Sequence, residues 1–242
     1  TAGRFIDAYK LIHRENPFPA VCGRICTRPC ESKCRRGTVD EAVSIRNLKR
    51  FVADYTYKRE KTPVSVTISP RNGKKVAIIG AGPSGLTCGY YLARLGYDVD
   101  VYEAHSVAGG VLAFGIPSYR LPKDVLAHEI SLIEQVGVNI KLNTEVGKDI
   151  QFEELKNNYD AIYISIGTEL PQKVNIPGED LAGVFHVINF LKMTNLGQLT
   201  SLSGTVAVIG GGNTAIDSAR TARRLGADKV IILYRRNREA MP

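Results

Sequence analysis

The chain contains the same glycine-rich unit twice, and this repeat constrains the fold more than any other feature. The first copy reads KKVAIIGAGPSGLTCGYYLARLGYDVDVYEA and the second reads GTVAVIGGGNTAIDSARTARRLGADKVIILYRR, with the glycine turns 130 residues apart. Each copy has a β-branched apolar run, a glycine turn, an amphipathic stretch and a second apolar run, which is the pattern of a βαβ unit. The repeat predicts an α/β fold with two Rossmann-like dinucleotide-binding units.

The first glycine turn has the form GxGxxG, at Gly80, Gly82 and Gly85. The first glycine allows a tight turn, the second lets the backbone approach a pyrophosphate, and the third permits close packing of helix on strand. Glu103 follows 23 residues after Gly80, at the end of the second apolar run. A carboxylate there accepts hydrogen bonds from ribose hydroxyls, so the first unit favours an unphosphorylated ribose, as in FAD.

The second glycine turn has the form GxGxxA, at Gly210, Gly212 and Ala215. At the strand end where the first unit has its acid, this unit has Arg235 and Arg236. Guanidinium groups suit a 2′-phosphate, so the second unit favours NADP(H). Two dinucleotide sites in one chain predict hydride transfer between a nicotinamide and a flavin. No catalytic acid, base or nucleophile is identified, because that chemistry needs positioned cofactors instead.

Four of the five cysteines lie within fourteen residues, in VCGRICTRPCESKC, among several arginines and lysines. A disulfide framework does not suit a nucleotide oxidoreductase without a secretion signal. Structural zinc usually shows Cx2C pairs, which this stretch lacks. Gly23 and Pro29 oppose one unbroken helix with an inert thiol stripe. Iron–sulfur ligation is the favoured interpretation, with zinc and inert thiols left open, for Cys22, Cys26, Cys30 and Cys34. Cys88 is expected to be a small buried hydrophobe.

The rest of the chain fits this organisation. Residues 1 to about 60 are predicted to be helical, with Asp40 and Glu41 at the start of the last helix, where the dipole favours acids. A Pro, Ser and Gly-containing linker follows. Between the two repeats, HEISLIEQVGV is predicted to be a helix and YDAIYISIG a strand.

Composition limits the class of protein. The net charge is +8, with no run of 18 apolar residues and no recognised nucleic-acid module, so neither a membrane span nor nucleic-acid binding is expected. The four histidines have no zinc spacing. The chain starts with Thr1 and has no signal peptide, so we expect a cytoplasmic protein whose natural N-terminus lies upstream.

Four motifs together carry a family resemblance: CGRICTRPCESKCRRG, IGAGPSGL, GGVLAFGIPSYRLPKDV and VIGGGNTAIDSARTARRLGA followed by YRR. In this order they resemble the glutamate synthase small-subunit family, which includes flavin subunits of NADH-dependent ferredoxin:NADP oxidoreductases and the N-terminal half of dihydropyrimidine dehydrogenase. The resemblance implies a helical 4Fe-4S domain at 1–62, the first segment of an FAD domain at 63–203 and the start of an NADPH domain at 204–242.

The resemblance also implies site residues. The positions that match FAD contacts are Ala81, Gly82, Pro83, Ser84, Gly85, Glu103, Gly110, Val111, Arg120 and Val146. The positions that match NADPH contacts are Gly212, Asn213, Thr214, Ala215, Arg235 and Arg236, with Arg238 as a further candidate. The family continues beyond the length of this chain, so we expect the chain to be part of a longer one.

In the family, the cysteines that match Cys26, Cys30 and Cys34 are ligands to two different clusters, and the other ligands come from an upstream cysteine-rich stretch. One cluster often takes its last ligand from a Gln or Glu, which Lys49 replaces here; an ammonium group has no lone pair to donate. Two interpretations stay open: Cys22 replaces that ligand, or all four thiols hold one cluster.

The resemblance implies that electrons pass from NADPH to FAD and through 4Fe-4S clusters to a larger partner subunit of a hetero-oligomeric complex. A non-catalytic assembly subunit that keeps the fold is an alternative. A thioredoxin-reductase-like flavoprotein is another, although the redox Cx2C of that fold is absent from the nucleotide units.

Overall fold

A computed structural model of the protein describes residues 3–59, 66–171, 173 and 175–241. The chain divides into two compact units. The first unit comprises the chain up to Gly110 and Arg120–Gly167, and the second comprises Val111–Tyr119 and the chain from Thr168 onward. The predicted boundary at residues 62 and 63 lies outside the described residues, and the predicted domain limits remain predictions.

The amino-terminal part of the first unit is helical, which confirms the prediction. Prolines occupy the first position of two helices, where a missing N–H costs no intrahelical bond. Between those two helices, Arg28 takes a left-handed φ of 56° and turns the chain, so the cysteines do not lie on one unbroken helix. The helices are α1 (Phe5–Glu15), α2 (Pro19–Ile25), α3 (Pro29–Ser32) and α4 (Ile45–Arg59), with a 3-10 turn at Arg35–Thr38.

The start of α4 differs from the prediction. The helix begins at Ile45, so Asp40 and Glu41 precede it and do not lie in its first turn. Asp40 instead forms an ion pair with Arg36 in the 3-10 turn. The short-range pairing with a nearby arginine takes the place of the expected interaction with the helix dipole.

The remaining helices and the strands follow the order that the repeat predicts. The helices are α5 (Pro83–Arg94), α6 (Val111–Phe114), α7 (Lys123–Gln135), α8 (Phe152–Asn158), α9 (Val187–Asn195) and α10 (Asn213–Arg224). The strands are β1 (Lys75–Ile79), β2 (Asp98–Tyr102), β3 (Val138–Lys141), β4 (Ala161–Ile164), β5 (Thr205–Ile209) and β6 (Lys229–Leu233).

The first unit contains a parallel sheet of order β3-β2-β1-β4. Its register pairs Val76 of β1 with Val99 on one side and with Ala161 on the other. In β2, Val99 and Val101 are buried while Asp98 and Asp100 stay partly exposed, which is the alternation of a strand. The order places β1, and the glycine turn after it, in the middle of the sheet. The α/β prediction is therefore confirmed.

The helical layer packs against the sheet layer within the first unit. Tyr9, Ala20, Ala53 and Val125 form one buried cluster from α1, α2, α4 and α7. His13 on α1 is also buried; its ring stacks on Tyr9, and its Nδ1 lies 3.2 Å from the Tyr90 hydroxyl oxygen on α5. Its Nε2 has no hydrogen-bond partner among the described residues.

The second unit has its own core and its own two-stranded parallel sheet, β5-β6. Phe190, Leu191, Ala222 and Ala227 form the buried cluster between α9 and α10. The early segment that contains α6 joins this unit, because the Asn195 side-chain amide donates a 2.7 Å hydrogen bond to the Phe114 carbonyl oxygen.

The end of that early segment is fixed in the same way. The Tyr119 hydroxyl donates to Asp217 on α10, and the Arg220 and Arg224 guanidiniums lie 4.3 and 4.0 Å from the centre of the Tyr119 ring. Across the described part of the chain, no helix has both the length and the hydrophobicity to cross a bilayer.

Candidate functional site

The first glycine turn joins the carboxyl end of β1 to α5. Gly80 has a φ of +103°, which favours glycine, and a Cβ there would lie 2.5 Å from the Ser165 carbonyl oxygen. A Cβ at Gly85 would lie 2.1 Å from the Gly80 carbonyl oxygen. A Cβ at Gly82 would meet no atom of the described residues within 4 Å. The turn is therefore closed on its protein side and open at Gly82, where α5 begins.

Glu103 is buried beside this turn. Its Oε2 accepts a 2.9 Å hydrogen bond from the Ala81 N–H, and its Oε1 accepts from the His105 backbone N–H at 2.9 Å. The Oε1 atom also lies 2.6 Å from the His105 Nδ1. The carboxylate at the end of β2 is thus held against the turn at the end of β1, as the spacing predicts.

The GG stretch after β2 also reaches the turn. The Gly109 N–H donates a 2.7 Å hydrogen bond to the Ala81 carbonyl oxygen. Gly110 has a φ of +54°, and a Cβ there would lie 3.0 Å from the Gly82 Cα. Two parts of the chain that the family resemblance assigns to FAD, Gly82 and Gly110, therefore lie together.

The other predicted FAD residues are more widely placed. Ser84 and Pro83 are exposed in the first turn of α5, and Arg120 is exposed in the first unit. Val146 packs beside the buried cluster of Ala77, Tyr102 and Leu155. Val111 belongs to the second unit, at the start of α6.

Sequence reasoning missed Ser165, which follows β4 directly. Its hydroxyl donates 3.1 Å hydrogen bonds to the Ile79 and Gly80 carbonyl oxygens, so it fixes the backbone of the turn. The hydroxyl of Tyr163 on β4 also lies 2.9 Å from the Ser84 hydroxyl. The sequence signal that could have indicated this role is a small polar residue at the carboxyl end of the strand that pairs with β1.

The second glycine turn has related geometry. Gly210 has a φ of +126°, and a Cβ there would touch the Ala215 Cβ at 3.4 Å. A Cβ at Gly211 would lie 2.7 Å from the Tyr234 ring, whereas one at Gly212 would meet no described atom within 4 Å. The turn is again open where its helix, α10, begins.

The residues predicted for NADPH lie around this opening and along the strand that follows. Asn213 and Thr214 are exposed in the first turn of α10, and Ala215 is buried. Arg235 and Arg236 follow β6 and are exposed, as is Arg238 in the short 3-10 turn at Arg238–Ala240. The Tyr234 hydroxyl donates to the Ala240 carbonyl oxygen at 2.9 Å, which ties this turn back to the strand end.

Both turns fit a dinucleotide. An anionic pyrophosphate is favoured at a helix N-terminus, where N–H groups are free and the dipole is positive. The backbone at Gly82 and at Gly212 leaves space that any larger residue would begin to fill. The first strand end offers the Glu103 carboxylate and the second offers guanidiniums, so the two openings differ in the ribose that they suit.

The four clustered cysteines are free thiols distributed over the helical layer. Cys22 lies within α2, and Cys26 follows its last residue. Cys30 is exposed on α3, and Cys34 precedes the 3-10 turn. Among the residues that the structure describes, no three Cys, His, Asp or Glu side chains converge on one metal position.

Two of these thiols have opposite environments. Backbone N–H groups of Val43, Arg36 and Gly37 lower the pKa of the Cys34 thiol. Burial raises the pKa of the Cys22 thiol, although the Lys49 ammonium acts in the opposite direction. The Arg28 N–H donates a 3.3 Å hydrogen bond to the Cys26 Sγ. Backbone N–H bonds to ligand sulfurs are typical of iron–sulfur sites, so Cys26 fits such a ligand.

The first unit also has a cavity beside the amino ends of β1 and β2, and this cavity does not contribute to the glycine-turn site. Its volume is about 490 Å³, and it lies beside Lys75 and Asp98, at the amino ends of β1 and β2. Asp100 in its wall accepts hydrogen bonds from Tyr159 and from the Lys141 ammonium. Burial and the bond to Asp100 raise the pKa of Tyr159. The first glycine turn follows the opposite, carboxyl end of β1.

Comparison with known families matches both parts of the chain. Residues 74–242 match the pyridine nucleotide-disulphide oxidoreductase family. Residues 1–61 match the 4Fe-4S cluster domain known as dihydropyrimidine dehydrogenase domain II. The first match covers both glycine turns, and the second covers the four clustered cysteines.

Several characterised proteins are similar along almost the whole chain. The beta subunit of the NADP(+)-dependent formate dehydrogenase of Moorella thermoacetica is 46% identical, over 99% of this chain and 37% of its own length. The NADPH-Fe(3+) oxidoreductase beta subunit of Geobacter sulfurreducens is 43% identical, over 99% of this chain and 36% of its own length. The glutamate synthase (NADPH) small chain of Escherichia coli is 39% identical, over 99% and 53%. The chain thus spans between about a third and about half of these relatives.

Among solved structures, Mycobacterium tuberculosis FprA in complex with NADPH is similar, with a TM-score of 0.57 and 26% identity. The likeness covers 70% of this chain and 44% of that one.

Proposed function

Because the chain belongs to the pyridine nucleotide-disulphide oxidoreductase family, we propose that it is an electron-transfer module which passes hydride from NADPH to FAD and then electrons through 4Fe-4S clusters. The observation that carries the proposal is that the glycine turn occurs twice, with a residue of opposite charge at the end of the strand that follows each turn's helix. Glu103 is buried at the first and Arg235 and Arg236 are exposed at the second. One chain therefore offers sites for an unphosphorylated and a phosphorylated ribose.

In this proposal the first turn holds FAD. The N–H groups at the start of α5 and the open backbone at Gly82 bind the pyrophosphate. Glu103 accepts hydrogen bonds from the adenosine ribose, and the Ala81 and His105 contacts keep its carboxylate in place. The full set of proposed FAD contacts is Ala81, Gly82, Pro83, Ser84, Gly85, Glu103, Gly110, Val111, Arg120 and Val146.

The second turn holds NADPH. The backbone at Gly212 and the N–H groups at the start of α10, over Asn213, Thr214 and Ala215, receive its pyrophosphate. Arg235 and Arg236 bind the 2′-phosphate, where a guanidinium can bond two oxygens at once. With both cofactors bound, this pair would supply hydride-transfer chemistry, and the two glycine turns would hold and orient the dinucleotides for it.

Cys22, Cys26, Cys30 and Cys34 are the proposed ligands to iron–sulfur clusters, completed by donors from outside the described residues. The match of residues 1–61 to a 4Fe-4S domain supports this assignment. The Arg28 N–H donates to the Cys26 Sγ, and N–H bonds to ligand sulfurs raise the reduction potential of a cluster. The proposed domain limits are 1–62 for the cluster domain, 63–203 for the FAD segment and 204–242 for the start of the NADPH domain.

The final electron acceptor is proposed to be a larger partner subunit. Relatives named as beta subunits and small chains support this proposal, and so does the fraction of their length that the chain spans. A cytoplasmic location is part of the same proposal, because the thiolate ligands of an iron–sulfur cluster need a compartment in which thiols stay reduced.

An anaerobic spectroscopic titration tests the function. We expect the full-length protein to show flavin bands that NADPH bleaches, followed by loss of the broad iron–sulfur absorption. Glu103→Gln should lower the flavin content, whereas Glu145→Gln, at an exposed position of the same unit, should not. Flavin bands that are absent, or that NADPH leaves unchanged, would support a non-catalytic assembly subunit instead.

A further inference from the structure

Helix α2 begins without a cap of its own. Phe18, which precedes the helix, has no acceptor in its side chain, and Pro19 at the first position has no N–H. The next N–H groups belong to Ala20 and Val21, and both residues are buried. Buried N–H groups at the start of a helix need acceptors from elsewhere in the protein.

Glu129 on α7 provides both acceptors. Its Oε1 accepts from the Ala20 N–H at 2.6 Å, and its Oε2 accepts from the Val21 N–H at 2.9 Å. The Glu129 side chain is only 1% exposed, and a carboxylate at that depth is stable only when it is hydrogen-bonded. Burial raises the pKa of Glu129 to about 8, and the two N–H bonds act against that rise.

The helix that Glu129 caps is the one that carries the first two cysteines. Cys22 follows Val21 directly, and Cys26 follows the last residue of α2 one turn later. The other side of α2 is fixed by α4, because a Cβ at Gly23 would lie 2.8 Å from the Arg50 Cα. Helix α2 can therefore shift neither toward α4 nor, without breaking the two bonds, away from α7.

Helix α7 belongs to the sheet layer that contains the first glycine turn. It packs against α5, which begins at that turn, and against α2. Helix α7 therefore contacts both the helix that begins at the flavin turn and the helix that carries Cys22, and the Glu129 carboxylate is its polar contact to α2. Electron transfer between two centres slows steeply as their separation increases, so this contact affects the rate of transfer.

We propose that Glu129 is a positioning residue which fixes the cysteine-bearing helix α2 at the distance from the flavin site that electron transfer requires. The inference rests on the proposed function, and it adds a residue that neither glycine turn nor the cysteine motif contains. Glu129 does not touch the nucleotide turn, so its loss should leave the NADPH and flavin steps unchanged.

The test compares Glu129→Gln with Glu134→Gln in the holoprotein, since Glu134 is an exposed acid on the same helix. Amide hydrogen exchange at Ala20 and Val21 measures the cap directly. Removing the acceptor of a buried N–H corresponds to about five- to a hundredfold faster exchange. We expect that increase in Glu129→Gln and none in Glu134→Gln. Unchanged exchange in Glu129→Gln would overturn the inference.

Stopped-flow reduction by NADPH then separates positioning from general folding. With iron and flavin contents unchanged, flavin bleaching should match the wild type, while the later cluster bleaching should be at least severalfold slower in Glu129→Gln. Equal cluster bleaching in both variants, or parallel slowing of both phases, would contradict positioning. If Glu129→Gln does not accumulate, Glu129→Asp, which keeps a carboxylate one methylene shorter, is judged by the same two readouts.

The two proposals fail in different ways. If NADPH does not bleach the wild-type flavin, the proposed function is wrong and electron transfer cannot be what Glu129 serves. If wild-type bleaching is normal and Glu129→Gln behaves like Glu134→Gln, only the role of Glu129 is wrong.

Discussion

The buried imidazole of His13 makes the first unit sensitive to acid. His13 is 2% exposed, stacks on Tyr9 and contacts the Tyr90 hydroxyl. Burial lowers its pKa from 6.5 to about 4, and the nearby Arg94 guanidinium and His128 act in the same direction. The unfolded chain therefore binds a proton at this residue at a higher pH than the folded chain does.

The sign and size of the effect follow from that difference in pKa. Above pH 6.5 neither state is protonated at His13, and the stability is complete. As the pH falls from 6.5 through about 4, only the unfolded state gains the proton, so the free energy of unfolding decreases. The total loss is about 3 kcal/mol, out of a typical ~5–15 kcal/mol for a folded domain.

The variant His13→Phe tests this reasoning because it keeps an aromatic ring between Tyr9 and Tyr90. Tyr90 also retains its 3.2 Å hydrogen bond to the residue-13 carbonyl oxygen. We expect His13→Phe to lose about 3 kcal/mol less than the wild type between pH 7 and pH 4, since it has no imidazole to protonate.

Urea unfolding at several pH values measures the difference. The chain has no tryptophan, so far-UV circular dichroism is the suitable signal. His186→Gln, at a partly exposed histidine of the second unit, serves as the control and should keep the wild-type pH dependence. Equal pH dependence in His13→Phe and the wild type would refute the argument.

Three further predictions concern the proposed cofactors. Replacing Arg235 or Arg236 with Ala should weaken NADPH binding by about ten- to a hundredfold. NADH binding should stay nearly unchanged, because only NADPH has the 2′-phosphate. A titration in which the binding of both nucleotides weakens equally would contradict 2′-phosphate binding by these arginines. Gly85→Ala should prevent correct folding, since its Cβ would lie 2.1 Å from a carbonyl oxygen of the turn, whereas Gly82→Ala should fold normally but lose FAD. Urea unfolding and flavin content check both, and full flavin in Gly82→Ala would exclude pyrophosphate binding at this turn. Cys34→Ser should lower the iron and acid-labile sulfide of anaerobically purified protein, and stoichiometric zinc without sulfide would refute the cluster.

The sequence predicts those features that depend on local pattern. The spacing of glycines, apolar runs and one acid predicts the two turns, the order of helices and strands, and the place of Glu103 at the end of β2. The break in the cysteine stretch also follows locally, because Pro29 has only one favourable place in a helix.

The remaining features depend on contacts between distant residues. Glu129 caps a helix that lies 109 positions earlier in the chain, and nothing near it in sequence signals that contact. Ser165 binds a turn formed 85 residues earlier. The acids before α4 were misplaced because a charge pattern does not distinguish a helix dipole from an arginine such as Arg36 nearby.

The discontinuous second unit has a consequence for synthesis on the ribosome. Leu112 and Phe114 of α6 are buried, yet their partners on α9 emerge about 70 residues later, which takes roughly 4 to 14 seconds at ~5–20 residues per second. During that interval the ribosome makes Arg120–Gly167, which belongs to the first unit. Until α9 has left the ribosome, Leu112 and Phe114 therefore lack the contacts that α9 makes with α6 in the folded unit.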